Sequence, residues 1–364
     1  MKRIFHVITH FDVGGAERIA VNIATSTNSK LEYHIVELVR SYSKFSKTFI
    51  RELEESGVRY HRFYIPHVRF HYLFERLAAL LFPLWFCFIF KKYKPSVIHS
   101  HTEMPDLAVF LFFHVFPGWQ KRCKIVRTIH NSCLWTGQKR TGRYVERFFR
   151  QYINVGISKS VTESYKKVYG LLLPIIYNGV APVAQKTYPY LKEGVINILF
   201  AGRLEHEKGI DVLQQIILSL REDKRYFFHV FGSGSLSKEL DEALAKCPNV
   251  SINPPLFCVS QYMGSFDYMI MPSEFEGLGI ISIEASFNGL PTIINSCPGL
   301  YETLPNDWPL KVNNNSLGEY MDIFTKTLLQ VNRKDICKQA YSYVNQQFSI
   351  EQMRKGYEVI YMAD

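Results

Sequence analysis

The chain lacks the devices that staple small folds or anchor large ones. Its seven cysteines (Cys87, Cys123, Cys133, Cys247, Cys258, Cys297 and Cys337) are odd in number, scattered, and include no Cys-x-x-Cys pair. That spacing argues against a disulfide framework or a zinc site and fits a reducing compartment. The longest uncharged apolar run, Leu77 to Phe90, has 14 residues with Pro83 inside it. A spanning helix needs about 20, so this run reads as too short to cross a bilayer. Met1-Lys2-Arg3 is followed only by a short apolar segment broken by His6, His10 and Asp12, which reads as a first strand and not as a secretory leader. Gly-x-Gly-x-x-Gly is absent, no Walker lysine follows Gly14-Gly15, and no nucleic-acid-binding motif, low-complexity tract or short repeat is visible. No His, Asp and Glu spacing suggests a metal, and no Ser-His-Asp arrangement is legible.

What is present is an ordinary folded composition spread unevenly. The 364 residues are 47% hydrophobic and 21% charged, too long a chain for one core, so two domains are expected. Residues 1–180 hold 27 basic and 12 acidic side chains, a net of +15, whereas residues 181–364 hold 16 and 21, a net of −5. A basic half of this kind faces an anionic partner. Strands near 4–9, 33–38, 97–101, 124–130 and 153–157 alternate with helices, including a long one over 72–92. Polar residues after Asn178-Gly179-Val180 break the rhythm, which restarts with strands near 196–201, 227–231, 268–271 and 291–294. The expected fold class is α/β, with two doubly wound parallel sheets, a first domain over 1–180, a second over 181–349, and ligands held at the carboxyl ends of the strands in a cleft between them.

Several residues at those ends could carry chemistry. Gly14-Gly15 follow the first strand and open a helix, where bare amides favour an anion. Gly202-Arg203-Leu204, with Lys208-Gly209 behind, puts two cations at a helix start. Cations oppose the dipole there unless an anion lies between, and a guanidinium fork with an ammonium suits a diphosphate. In Pro272-Ser273-Glu274-Phe275-Glu276-Gly277-Leu278-Gly279, a loop carboxylate precedes backbone amides able to cradle phosphate, and Glu284 follows inside an apolar helix. Two acceptor-only carboxylates suit a ligand rich in hydroxyls. His101 and His130 each end a strand; lone histidines are more often structural than catalytic.

The run Gly14-Gly15-Ala16-Glu17, then Gly202-Arg203-Leu204 with Lys208-Gly209, then Pro272-Ser273 through Glu276 and Glu284-Ala285, resembles glycosyltransferase family 4. Asn178-Gly179-Val180 and Gly232-Ser233-Gly234 resemble it too. The resemblance implies a GT-B fold of two Rossmann-like domains, the first binding the acceptor and the second the nucleotide-sugar, with a C-terminal helix near 350–364 packing back on the first. It implies that Gly14, Gly15 and Gly202 lie near the donor diphosphate, that Arg203 and Lys208 hold it, and that Glu276 faces the donor sugar. Gly277, Leu278 and Gly279 would offer amides to sugar and phosphate, and Glu284 would bind the ribose hydroxyls. His130 resembles the histidine beside the transferred sugar, and His101 falls on the acceptor side. Where relatives commonly have a glycine, Asn253-Pro254-Pro255-Leu256 stands near the expected base position.

The implied activity is metal-independent, retaining transfer of a hexosyl or N-acetylhexosaminyl group from a nucleotide-diphosphate sugar, UDP favoured. The sugar nucleotide is a co-substrate, and no cofactor is expected. The acceptor would be a lipid-linked saccharide of surface-polysaccharide assembly (O-antigen, capsule or exopolysaccharide). A sugar-nucleotide epimerase on the same fold, or a silent membrane-surface nucleotide-binding scaffold, stays open as an alternative. The expected location is cytoplasmic, peripheral on the inner face of the cell membrane, with no nucleic-acid partner. Leu73, Phe74, Leu77, Leu80, Leu81, Leu84, Trp85 and Phe88 recur at helical spacing between Arg69 and Arg76 on one side and Lys91, Lys92 and Lys94 on the other, as in a helix lying in an interface or, equally, in one buried on both faces by its own domain.

Overall fold

A computed structural model describes every residue except 13, 14, 27, 29, 68–70, 138 and 364, and of residues 71 and 72 only the backbone. Gly14 and Arg69 therefore lie outside the described residues. The chain forms two compact units, Met1–Gly179 with Ile350–Asp364, and Val180–Ser349.

The first unit runs β1 (Lys2–Ile8), α1 (Gly15–Ala24), β2 (Leu31–Glu37), α2 (Lys44–Glu55), β3 (Arg59–Arg62), α3 (His71–Tyr93), β4 (Val97–His101), α4 (Glu103–Val115), β5 (Lys124–Ile129), α5 (Lys139–Phe149), β6 (Ile153–Gly156) and α6 (Lys159–Tyr169). The second runs β7 (Ile196–Ala201), α7 (Ile210–Ser219), β8 (Tyr226–Phe231), α8 (Ser237–Leu244), β9 (Val250–Asn253), β10 (Tyr268–Met271), α9 (Ile280–Phe287), β11 (Thr292–Asn295), β12 (Lys311–Val312), α10 (Leu317–Asp322), α11 (Leu328–Gln330) and α12 (Arg333–Gln347). The sheet orders are β3-β2-β1-β4-β5-β6 and β12-β11-β10-β7-β8-β9, with every pairing parallel. Both are the same doubly wound order, reversing beside β1 and β7, and each reversal opens a crevice at the strand ends.

Three edge strands and one helix differ from expectation. Strands β3 (Arg-Tyr-His-Arg), β9 (Val-Ser-Ile-Asn) and β12 (Lys-Val) carry no apolar run, because each is an edge strand with little of itself to bury. Helix α5 is rich in charge, yet it buries Val145 and Phe149 and needs Gly142, whose Cβ would stand 2.4 Å from the Trp135 ring.

Along β1 the side chains alternate: Phe5 and Val7 pack with Phe82, Phe86 and Phe112, while Ile4 and Ile8 pack with α1 and with the final helix, α13 (Ile350–Met362). Helix α13 is tied in by Tyr357 Oη to Thr128 Oγ1 at 2.7 Å and by Arg354 Nε donating to the Asn22 carbonyl at 2.7 Å.

Helix α3 corrects the length argument made from the uncharged run. Its stretch Leu73–Tyr93 is 21 residues, with an 18-residue window of mean hydropathy 1.8, long and apolar enough to cross a membrane. At 1.5 Å per residue that is about 31 Å. Length therefore does not exclude a span; packing argues against one. Ala78, Ala79, Phe82, Phe86 and Phe90 are buried in the protein core, while Leu73, Leu80, Leu84 and Phe88 on the other side are 62–71% exposed.

Under α4 and α5 lies a charged cluster with no signature in the sequence. Arg127, fully buried on β5, donates to Asp106 at 2.6 Å and to both oxygens of Glu146 at 2.8 and 2.6 Å. Trp135 Nε1 and Tyr165 Oη also donate to Glu146, each at 2.7 Å, and Ser100 donates to Asp106 at 2.7 Å. Burial pushes Asp106 up to about 7 despite Arg127. Burial raises Glu146 too, but the hydrogen bonds it accepts from Arg127, Trp135 and Tyr165 outweigh that and hold it low.

Candidate active site

In the second unit the chemistry collects where β7 and β10 end. Strand β7 stops at Ala201, and Gly202-Arg203 turn over the sheet edge. The chain then closes tightly on the loop after β8: Leu204 N–H donates to the Ser233 carbonyl at 3.0 Å, and a Cβ on Gly232 would lie 2.1 Å from the Gly202 carbonyl. Gly209, left-handed at φ +69°, passes so near β10 that a Cβ would lie 1.9 Å from the Pro272 carbonyl. This contact brings Lys208 beside the loop after β10.

There Lys208 Nζ donates to Glu276 Oε1 at 2.7 Å, and Ser273 Oγ donates to the same oxygen at 2.9 Å. Both charged side chains are largely buried, 20% and 12% exposed, so their charges are weakly screened. Arg203 is exposed and reaches the Glu207 carboxylate. A cavity of about 310 Å³ is lined by Gly202, Arg203, Lys208, Ser273, Glu276 and Gly279, among others. A second, of about 320 Å³, shares Gly202 and Arg203 and continues to Ser233, Pro255 and Leu256. Together they form one groove along the strand ends.

Of the three residues expected to offer amides, Gly279 does not. Gly279 N–H donates to the Gly299 carbonyl at 2.8 Å, so it is not available to a phosphate. A Cβ there would lie 2.6 Å from Leu300 Cδ1, so a larger residue would have to push that leucine aside. Gly299 belongs to the same device: at φ +78° its Cβ would stand 2.0 Å from the Glu276 carbonyl, and Glu276 N–H donates to Pro298. Sequence reasoning missed Gly299, which lies 23 residues from Glu276 and is joined to it only by the fold. Leu278 is buried and lines the groove.

Glu284 sits one turn along α9 from Ile280 and Ile281, which line the groove. Its carboxylate has no hydrogen-bond or ionic partner among the described residues, and burial pushes it up to about 7. Half-buried, it keeps a face open to water or to the hydroxyl donors of a ligand.

In the first unit, His101 and His130 are brought together, with His101 Nδ1 3.2 Å from His130 Nε2. His101 is wholly buried, so it touches His130 and His6 and cannot reach an acceptor, which corrects its expected acceptor-side place. His130 is half-buried just past the end of β5. Gly15 is exposed, with nothing among the described residues within 4 Å of where a Cβ would be. Thr102, at the mouth of β4, has φ +73° and pairs its hydroxyl with Thr9 at 3.0 Å.

The fold also assembles groups that residue spacing did not suggest. Ligand atoms of His6, His99 and His101 lie within 4.8 Å of one another, as do those of His10, His67 and Glu75. In the first group no ligand is anionic, and His99 has both nitrogens in hydrogen bonds, to Tyr361 Oη at 2.6 Å and Thr128 Oγ1 at 2.7 Å. A dication there would be buried without a counter-charge, which is strongly unfavourable.

Residues 13–183 match the family described as Glycosyltransferase Family 4, and residues 196–326 match Glycosyl transferases group 1. A 41.2 kDa protein of the cps region of Klebsiella pneumoniae is 25% identical over 298 residues, 74% of this chain and 79% of the relative. The O-antigen biosynthesis glycosyltransferase WclY of Escherichia coli is 24% identical over 297 residues, 73% and 78% of the two chains. A glycosyltransferase structure from Rickettsia africae superposes with TM-score 0.77 at 18% identity, covering 99% of this chain and 97% of that one. Anabaena HepE in complex with UDP and glucose gives 0.73 at 15% identity, covering 99% of each. With two parallel six-stranded units of the kind found in GT-B enzymes, and both halves matched, the chain belongs to the family-4 glycosyltransferases.

Proposed function

We propose that the chain is a retaining, metal-independent glycosyltransferase that moves a hexosyl or N-acetylhexosaminyl group from a nucleotide-diphosphate sugar, a UDP-sugar foremost, to a lipid-linked saccharide in surface-polysaccharide assembly. The observation that carries the donor half is the groove itself, which bears Arg203, Lys208 and Glu276, with Glu284, a half-buried carboxylate without a partner among the described residues, beside it. Ribose hydroxyls supply the donors it lacks. Pro255 and Leu256 at the far end of the groove offer an apolar wall for the base. The relatives support the pathway: one is named for O-antigen biosynthesis, another comes from a cps region, and HepE was solved with UDP and glucose.

In the proposed step, the bond from the anomeric carbon to the diphosphate oxygen breaks while an acceptor oxygen attacks from the same face. The acceptor's proton passes to the departing phosphate. Arg203 and Lys208 take up the charge growing on that phosphate, and donors placed where charge develops act on the barrier. Glu276, now paired with Lys208, faces the sugar as its anomeric carbon becomes cationic. His130 contributes a contact to the transferred sugar.

The acceptor half rests on the first unit. Its charge surplus accompanies the exposed leucines of α3, and a cavity of about 840 Å³ opens beside them, lined by Leu80, Phe110 and Leu111 with Arg76, Lys139 and Arg140. Apolar walls with a cationic rim match a prenyl chain and its phosphates, and each basic residue near an anionic leaflet contributes about 1 kcal/mol. The protein would dock on the inner face of the cell membrane without spanning it.

The test is incubation with labelled sugar nucleotides and a polyprenyl-diphosphate saccharide, followed by analysis of the lipid fraction and of the anomeric configuration. Transfer with retention is expected. An isomerised donor without transfer would make the chain an epimerase, and neither product would leave a scaffold.

A further inference from the structure

Strands β1, β4 and β5 lay histidines in a file that ends at the sheet edge. The register pairs His6 with His99 and His101 with Thr128. Side chains alternate along a strand, so His6, His99, His101 and Thr128 share one face. Nδ1 of His6 lies 2.9 Å from Nε2 of His101, and Nδ1 of His101 lies 3.2 Å from Nε2 of His130. His99 packs on His101 with ring centroids 4.1 Å apart, but its nitrogens are committed to Tyr361 and Thr128, and it stands outside the file.

Each neutral imidazole has one N–H and one lone pair. In a file joined nitrogen to nitrogen, the direction of one hydrogen bond therefore fixes all the others. Pointing outward, His6 Nδ1–H donates to His101, His101 Nδ1–H donates to His130 Nε2, and His130 is left with an N–H on Nδ1. Pointing inward, His130 donates, Nδ1 of His130 is a bare lone pair, and the last proton sits on His6 Nε2.

The closed end decides between them. His6 Nε2 is buried and has no hydrogen-bond partner among the described residues. The outward direction leaves a lone pair there, whereas the inward one strands a buried N–H. A buried donor without an acceptor costs about 1–3 kcal/mol, and orphan donors are rarer in proteins than under-used acceptors. We propose that His6 and His101 are positioning residues that hold His130 in its neutral Nδ1–H form, as a hydrogen-bond donor at the carboxyl end of the first sheet. Burial supports the neutral state: it pushes His6 and His130 down to about 3 and His101 well below the usual imidazole range.

In one respect this rests on the proposed function, namely that the ligand at this edge is the transferred sugar. Nδ1 of His130 has no partner among the described residues and is the atom left for that ligand. As an N–H donor it binds a sugar oxygen and does not serve as the base that deprotonates the acceptor.

The experiment is nitrogen-15 histidine NMR on the full-length protein, with His130→Ala used to assign the signal, alongside steady-state kinetics. Wild type should show His130 protonated on Nδ1. His6→Leu, which removes the closed end's donor, should release His130 toward the Nε2–H form and lower kcat about tenfold, the scale on which partners that fix a ring tautomer act. The donor KM should stay within about twofold. His6→Asn, which restores an N–H near the Nδ1 position, should recover both. An Nε2–H form of His130 in wild type overturns the proposal even if no His6 variant folds, as does a tautomer that ignores His6→Leu. If the tautomer responds while kcat does not, the file stands and the placement of His130 at the sugar falls.

Discussion

Strands β1, β4 and β5 of the first unit bury His6, His99, His101 and Arg127, whereas their counterparts β7, β10 and β11 bury Ile198, Leu199, Met269, Ile270, Ile293 and Ile294. The winding is the same, so topology does not demand the polar interior. In the first unit the charged and titratable groups are inside the sheet layer, held by partners from distant segments. In the second, the sheet buries neutral groups such as His229, bonded to Asn197 at 2.8 Å, while the cations and the Glu276 carboxylate of the groove sit in loops at the strand ends. The Arg127 cluster is therefore part of the fold's integrity, while the loop cations Arg203 and Lys208 can be removed with the fold intact.

The sharpest way to break that contrast is Arg127→Ala. It leaves Asp106 and Glu146 buried together without their cation, which should cost about 3–5 kcal/mol of stability at pH 7. Because burial raises both carboxylates once Arg127 is gone, the loss should shrink as the pH falls and they take up protons. Denaturant melts at pH 5 and pH 7 measure this. A loss below about 1 kcal/mol would dissolve the distinction between the units, since surface changes commonly stay under that size.

Lys208→Ala and Arg203→Ala should show the opposite behaviour. Melting should change little, while kcat falls on the order of 10²–10³, the loss expected for one donor to a developing oxyanion. Retention of more than about a third of wild-type turnover by either variant would remove it from the diphosphate, being far short of that loss. Glu276→Ala should likewise act mainly on kcat, because its contact strengthens as the sugar becomes cationic.

Glu284→Gln should act mainly on donor KM, since a ribose contact is present in ground and transition states alike. The carboxyl sits near 7 in the free protein, and hydroxyl donors favour its charged form, so binding releases a proton. UDP should therefore bind more tightly as pH rises from 6 to 8, by about tenfold, and the dependence should vanish in Glu284→Gln. Calorimetry in two buffers reads both quantities. A flat profile in the wild type would mean that UDP does not meet this carboxylate.

Smaller again is the attachment of the first unit. Leu80→Asp with Leu84→Asp should reduce flotation with anionic liposomes without lowering transfer to a short water-soluble acceptor, since both leucines are exposed. Binding unchanged at 1 M salt would reject the electrostatic part. Least of all should EDTA matter; a strict requirement for a divalent ion would overturn metal independence and direct attention to His10, His67 and Glu75.

Much of this was legible before any coordinates. The central strands announce themselves as apolar runs between helices because both their faces are covered, and the loop groups Arg203, Lys208 and Glu276 lie in short local motifs. The edge strands β3, β9 and β12 were not legible, since an edge needs no continuous apolar run. Nor was α5, whose buried stripe of Val145 and Phe149 is diluted by arginines. Leu77 to Phe90 misled on length, because the helix continues through charged residues at both ends to 23 residues.

Local chemistry is what the chain itself determined: an α/β alternation, two halves of opposite charge, and cations, carboxylates and glycines gathered in short motifs at the strand ends, because turns, helix starts and apolar runs are set within a few residues. Tertiary structure alone decided which distant groups touch. The partnership of Gly299 with Glu276, the burial of His101 behind His130, the orphaned nitrogen of His6 and the cation shared by Asp106 and Glu146 all depend on strand register and crossover packing. A buried polar atom acquires its meaning from whichever partner the fold brings within about 3 Å, and sequence separation carries no information about that distance.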